Sequence, residues 1–175
     1  MKTLLRSAIL GLAGATLMLM IYAGPASAQT ATATFQVQAT VNKNCLVSAS
    51  DLVFGTYDPS SGTDLDVNTA ISVRCTKDTP FTVALNAGVT GGATLAQRRM
   101  TNGTDFMNYN LYTAAARTTI FGDGTGGTAT VGGTGAGLGA GQAQSVDVFG
   151  RIPAGQTTLS IGSYAETTIT ATVTY

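Results

Sequence analysis

Apolar and polar residues alternate through much of this chain, and the longest clean run is residues 30–41. Ala31, Ala33, Phe35, Val37, Ala39 and Val41 occupy the odd positions, and every even position is Thr or Gln. A period of two places one apolar row on one face of an extended strand. No Gly, Pro or charge interrupts it. Such a run is either the first strand of the protein's own sheet or a detachable strand offered to a neighbour. The second option exists because an open sheet edge accepts any chain that extends its hydrogen-bond ladder.

Shorter runs of the same kind follow, each closed by turn residues. Residues 45–54 hold the next expected strand, and Gly55 and Asp58-Pro59-Ser60-Ser61-Gly62 turn the chain. Residues 70–75 put Ile71, Val73 and Cys75 on one face, and residues 81–85 do the same with Phe81, Val83 and Leu85. Asn102-Gly103, a strong tight-turn pair, leads into residues 106–113. Ala114-Ala115-Ala116 is too short for more than one helical turn. Ten of the twenty residues from Gly122 to Gly141 are glycine, which reads as a flexible loop or a loosely ordered hairpin. Residues 145–152, a short strand marked by Leu159 and Ile161, and residues 167–175 complete the pattern. The last run aligns Ile169, Ala171, Val173 and Tyr175, and no strand follows it. Sustained 3.6 periodicity is missing after the leader, so the expected class is all-β, a sandwich of many short strands.

The leader itself changes the picture. Lys2 and Arg6 precede an uncharged apolar run over residues 7–22, and Gly24-Pro25-Ala26-Ser27-Ala28 follows. This is the order of a secretory signal peptide with cleavage after Ala28. The alternative, a membrane anchor, has a short run for a spanning helix. Without Lys2 and Arg6, 7 basic face 9 acidic residues, and no basic stripe exists for nucleic acid. Two cysteines, Cys45 and Cys75, remain in an exported chain, so a disulfide is the expectation, with free thiols or a metal site as alternatives. The bridge would close a loop worth about 3–4 kcal/mol in the chain-entropy model.

Candidate chemistry is thin. The chain has no His and no Trp, so hydroxyls such as Ser60 and Ser145 lack the usual activating imidazole. Asp64 and Asp66 share a strand face as a glycosidase pair could, but their Thr, Ser, Gly and Asn neighbours read as a solvated loop. Residues 58–66 also lack the order of a calcium loop. Gly122-Asp123-Gly124-Thr125-Gly126-Gly127 contains G-x-G-x-x-G, yet the Thr- and Gly-rich residues after it cannot form the helix a dinucleotide site requires. No enzyme, cofactor or metal is expected.

Several stretches, in order, resemble one family. Cys45-Leu46-Val47, Val53-Phe54-Gly55-Thr56-Tyr57-Asp58-Pro59 and Ile71-Ser72-Val73-Arg74-Cys75 are similar to the first third of the spore coat protein U domain. Arg99-Met100, Tyr109-Asn110-Leu111-Tyr112, Ala115-Ala116-Arg117-Thr118 and Phe121-Gly122-Asp123-Gly124-Thr125-Gly126-Gly127 continue the likeness. Phe149-Gly150-Arg151-Ile152-Pro153-Ala154-Gly155-Gln156, Gly162-Ser163-Tyr164-Ala165-Glu166-Thr167 and Thr172-Val173-Thr174-Tyr175 complete it. Phe121 stands where the family usually has Trp, and Glu166 where it usually has Asp.

The resemblance implies a subunit of archaic, Csu-type chaperone–usher pili. It implies an immunoglobulin-like sandwich, the pilin fold, that lacks its last strand and carries an N-terminal donor-strand extension. The implied division is a signal peptide at 1–28, a donor arm at 29–44 and the pilin domain at 45–175. Ala31, Ala33, Phe35, Val37, Ala39 and Val41 would form the donor strand, and Ile169, Ala171, Val173 and Tyr175 the edge of the receiving groove. Implied partners are other pilus subunits, a periplasmic chaperone and an outer-membrane usher, with export through the periplasm to a cell-surface fibre that serves attachment and biofilm formation. Two other readings are weighed. An adhesive tip subunit would use the Gly122–Gly141 stretch for contact, but tips of this family resemble two domains without an arm. An outer-membrane β-barrel suits the terminal alternation, but the Gly-rich middle and few aromatics do not.

Overall fold

The computed structural model describes residues 26–175. The expected leader lies outside the described residues except for Ala26, Ser27 and Ala28. Residues 26–44 carry no regular secondary structure and are exposed throughout. The alternating run 30–41 is therefore not paired as a strand.

Thr40–Tyr175 is one compact unit built of eight strands. These are β1 (Cys45–Ala49), β2 (Leu65–Cys75), β3 (Pro80–Leu85), β4 (Arg98–Thr101), β5 (Phe106–Tyr112), β6 (Val131–Thr134), β7 (Gln144–Ile152) and β8 (Ala171–Thr174). Every strand pairing is antiparallel. A five-stranded sheet has the order β1-β2-β7-β5-β4, and a three-stranded sheet has the order β6-β3-β8. Neither sheet closes on itself, so the chain forms a sandwich and not the barrel entertained from its terminal alternation.

The alternating patterns set the faces. Ile71, Val73 and Cys75 of β2, Val146, Val148 and Ile152 of β7, and Phe81, Val83 and Leu85 of β3 are all buried. Met100, Met107, Tyr109, Leu111 and Phe121 join them in one core. Cys45 and Cys75 stand directly opposite each other in the β1–β2 register and are joined as a disulfide. The bond fastens an edge strand to its inner neighbour.

Three expectations need correction. The Gly-rich stretch is neither an open loop nor a loose hairpin of its own, for part of it is β6, paired with β3. Its glycines allow close approach. A Cβ on Gly133 would lie 2.5 Å from the Phe81 ring, and one on Gly135 would lie 2.5 Å from the Thr76 carbonyl oxygen. Leu159 and Ile161 form no strand. Asp105 accepts hydrogen bonds from the Ser160 hydroxyl and, at 2.8 Å, the Ser160 N–H, which removes a donor that a ladder would use. The terminal strand also starts later than its pattern suggests. Thr168 N–H donates to Glu166 and Thr170 N–H to Asn86, each at 2.9 Å, so side chains take the N–H groups that a regular ladder would use before Ala171. Tyr175 lies beyond the strand and is exposed.

Of the two aspartates read as lying in a solvated loop, Asp64 does precede the strand while Asp66 lies within it, and both form ion pairs. Asp66 lies in β2 opposite Arg151 of β7. Arg151 donates to both its oxygens, at 2.7 and 2.8 Å, and Arg117 approaches to 3.2 Å. Asp64 pairs with the same Arg151 at 3.1 Å.

Candidate functional site

The register of the two sheets exposes what the sandwich lacks. Val47 and Ala49 lie opposite Val73 and Ile71, and directly opposed residues of an antiparallel pair share a face. Both therefore point toward the interior, yet Val47 is 48% exposed while Val73 is 0%. The other sheet repeats the arrangement. Ala171 and Val173 lie opposite Leu85 and Val83, which are buried, but are themselves only half-buried. β1 and β8 are terminal in their sheets, so each keeps one side without a ladder partner. Two edges with uncovered inward-facing side chains flank an opening in the sandwich.

A cavity of about 250 Å³ lies in that opening. Ala49, Ser50 and Leu52 form one rim and Glu166, Ile169 and Ala171 the other. Ile71, Leu85, Tyr109, Leu111 and Val148 form its floor. A second cavity of about 590 Å³ is lined by Val53, Phe54, Tyr57, Met107, Ile152, Leu159 and Ile161. Met100 and Tyr164 line both, so the two form one apolar track between the segment after β1 and the segment before β8.

Polar side chains hold the rims. The Glu166 carboxylate accepts from Val89 N–H at 3.0 Å, Thr90 N–H at 2.8 Å and Thr168 N–H at 2.9 Å. Partial burial opposes its ionisation, but the bonds from Thr90, Thr168 and Val89 together hold the carboxyl below its ordinary value. Asn86 accepts from Gly88 and Thr170 N–H and donates to the Thr168 carbonyl. Beneath Asn86 lies Arg98, which is fully buried. Its guanidinium donates to the Asn86 carbonyl at 2.9 and 2.7 Å, to Asn110 Oδ1 at 2.7 Å and to the Phe121 carbonyl at 2.8 Å. Burial pushes its pKa down to about 10, with the nearby Tyr109 acting weakly the other way. A cation with no carboxylate partner among the described residues thus ties the core to the loop that braces the groove rim.

The site residues expected from sequence meet different fates. Cys45 and Cys75 are bonded. Ile169 and Ala171 line the cavity, and Val173 continues the same edge. Tyr175 is not part of it. Phe35 (88% exposed), Val37 and Val41 (82% each) present their side chains to solvent, as do Ala31, Ala33 and Ala39. Arg98, Asn86 and Asn110 were not singled out for the rim. Only the adjacency of Arg98 to the apolar alternation of β4 could have signalled an inward-facing cation. Among the described residues no group of His, Cys, Asp and Glu is arranged to hold a metal ion.

An all-β sandwich with an apolar slot between two unpartnered edges, and an unpaired alternating arm elsewhere in the chain, defines the pilin class of folds. The Spore Coat Protein U domain matches residues 31–172, and the chain belongs to that family. Among solved structures it is similar to a chain of the chaperone–tip adhesion subunit pre-assembly complex, CsuC–CsuE, from the archaic chaperone-usher Csu pili of Acinetobacter baumannii. That match has 24% sequence identity and a TM-score of 0.53, and covers 78% of this chain. It spans 40% of the length of the other chain. Comparison with curated proteins yields no match.

Proposed function

We propose that the protein is a structural, non-catalytic subunit of a chaperone–usher pilus, in which residues 30–41 of one copy complete the groove between β1 and β8 of the next. The observation that carries this reading is the exposure of Val47 beside buried Val73, in a chain that also holds an unpaired run with the matching period. Family membership supports it, as does the likeness to a pilus-subunit fold.

The energetics fit an exchangeable strand. Phe35, Val37 and Val41 would each contribute about 1.5–3 kcal/mol of apolar burial, and each ladder hydrogen bond about 0.5–1.5 kcal/mol. Ordering the arm costs about 1–2 kcal/mol per residue. The balance favours insertion where the groove is otherwise left open to water. A periplasmic chaperone would cover the groove first, and an outer-membrane usher would direct the exchange. Extended, the twelve residues 30–41 reach about 40 Å. Thr and Gln on the opposite face keep the free arm soluble.

Such a contact joins different surfaces of successive copies, so it propagates as a filament and does not close into a dimer. The fibre would stand at the cell surface and serve attachment and biofilm growth. The test replaces Phe35 and Val37 together by Asp. The variant should fold and accumulate with its chaperone but form no fibres; fibres of normal length and yield would refute the assignment.

A further inference from the structure

One threonine governs how the chain enters β1. Residues 40–44 belong to the compact unit, and Asn44 directly precedes the first residue of β1. The Thr76 hydroxyl accepts from Asn44 N–H at 3.1 Å and shares its proton between the Asn42 and Asn44 carbonyls, each at 3.3 Å. Thr76 N–H donates to the same Asn44 carbonyl at 2.9 Å. A regular ladder would give the Asn44 N–H to the Thr76 carbonyl, but that carbonyl accepts from Thr79 N–H at 3.1 Å, so the side chain stands in for it. The platform beneath is fixed. Cys75, one residue before, is bonded to Cys45, and Asp78 and Thr79 are tied to Gly135 by two bonds of 2.8 Å.

These bonds bear on a competition that the donor-strand reading creates. The arm is joined in sequence to β1, which is terminal in its sheet. A short tether holds a segment at an effective concentration of about millimolar, and a second copy has to compete with that. Insertion into the chain's own groove needs only a reversal just ahead of Cys45, since antiparallel neighbours are joined by two-residue hairpins. Asn42-Lys43-Asn44 suits such a turn, because Asn tolerates the positive φ that it requires. None of the three has a positive φ. The backbone groups that a reversal would redirect are the ones held by Thr76.

We infer that the Thr76 hydroxyl keeps the root of the arm in line with β1, disfavours insertion into the chain's own groove, and so leaves the arm for a second copy of this chain. This rests on the donor-strand reading and adds a positioning residue to it. Thr76 lines neither cavity of the groove and acts through Asn42 and Asn44.

The test compares Thr76→Val, which keeps the shape and loses the hydroxyl, with Thr76→Ser, which keeps the hydroxyl. Subunits released from their chaperone at equal concentration are sorted into monomer and fibre. Thr76→Val should raise the ratio of monomer to fibre roughly 2- to 10-fold, and Thr76→Ser should restore the parent ratio. With a benzophenone side chain in place of Phe35, the Thr76→Val monomer should give photoadducts to residues 45–49 or 171–174 of its own chain. That monomer should also resist urea better than the parent, because its groove is filled; a merely structural role for Thr76 would weaken it. Lys43→Gly places an Asn-Gly pair at the reversal with Thr76 intact, and gives the same shift if Thr76→Val does not fold. A parent ratio in the folded variant, or monomers without adducts to their own groove, overturns the inference while leaving the arm in its neighbour's groove. Normal fibres from the Phe35 and Val37 double Asp variant overturn it together with the reading beneath it.

Discussion

Val47 and Val73 stand directly across from each other on adjacent antiparallel strands, share a face and differ in exposure, at 48% and 0%. The neighbour on the far side makes the difference. Val73 has β7 beyond it, whereas Val47 lies on the terminal strand of its sheet. The two residues should therefore respond unequally to truncation. Val73→Ala should destabilise the unassembled subunit by about 2 kcal/mol, and Val47→Ala by well under about 1 kcal/mol. In fibres Val47→Ala should lower the dissociation temperature, because there the side chain is covered. Urea unfolding of subunits and thermal dissociation of fibres check the pair.

Arg98 should be the most sensitive polar residue in the domain. Replacing it by Met leaves the Asn86 and Phe121 carbonyls and Asn110 Oδ1 without their shared donor. We expect a loss of about 3–5 kcal/mol, with Arg98→Lys intermediate because one ammonium cannot reach all three acceptors. Denaturant midpoints and the yield of chaperone-bound subunit provide the measure.

Acid should weaken the fold through its ion pairs. Hydrogen bonding from Arg151, helped by the charge of Arg117, holds the Asp66 carboxyl below its ordinary 3.8. A carboxyl with a depressed native pKa adds stability that is fully present above its unfolded value and is lost as pH falls through the native one. Stability should thus be level from neutral pH down to about 5 and decline below about 4. Asp66→Asn should be less stable than the parent at neutral pH and should lose less on acidification. Some slope should persist, since Asp105 and Asp123 are also held low by bonds from Ser160 and Thr125. Urea midpoints at pH 7 and pH 3 test this.

Glycines of the 122–141 stretch should divide by position and not by neighbourhood. At Gly135 a Cβ would meet the Thr76 carbonyl and Cys75 Cβ at 2.5 and 2.7 Å, contacts that backbone cannot relieve. Gly135→Ala should cost about 1–3 kcal/mol. Gly141 has nothing within 4 Å of a Cβ and no positive φ, so Gly141→Ala should be neutral or stabilising by up to about 1 kcal/mol. Thermal unfolding of the two variants separates them.

These contrasts explain what the sequence discloses and what it hides. Alternation at Ile71, Val73 and Cys75, at Phe81, Val83 and Leu85, and at Val146 and Val148 reports burial directly, because a strand face is a local property. The groove rim is not local. Glu166 and Asn86 are separated by 80 positions in the chain, and only the fold brings Glu166 to Val89 and Thr90 and Asn86 to Thr168 and Thr170. The Gly-rich run reads as slack because composition cannot show that Phe81 and Cys75 lie against it. Arg98 sits in a polar-looking Gln97-Arg98-Arg99, where one of two like residues turns inward. The β8 edge is legible in part, for the alternation of Ile169, Ala171 and Val173 marks residues that line it.

The most direct measurement places a benzophenone side chain at position 35 in place of Phe35 and irradiates assembled fibres made with an isotopically labelled, unmodified second chain. Covalent adducts should join the probe to residues 45–57 or 159–175, or to the floor residues Ile71, Leu85, Leu111 and Val148, of the labelled copy. Adducts confined to the probe's own chain, or to the outer faces of β4 and β6, would contradict the completion of one sandwich by the arm of another.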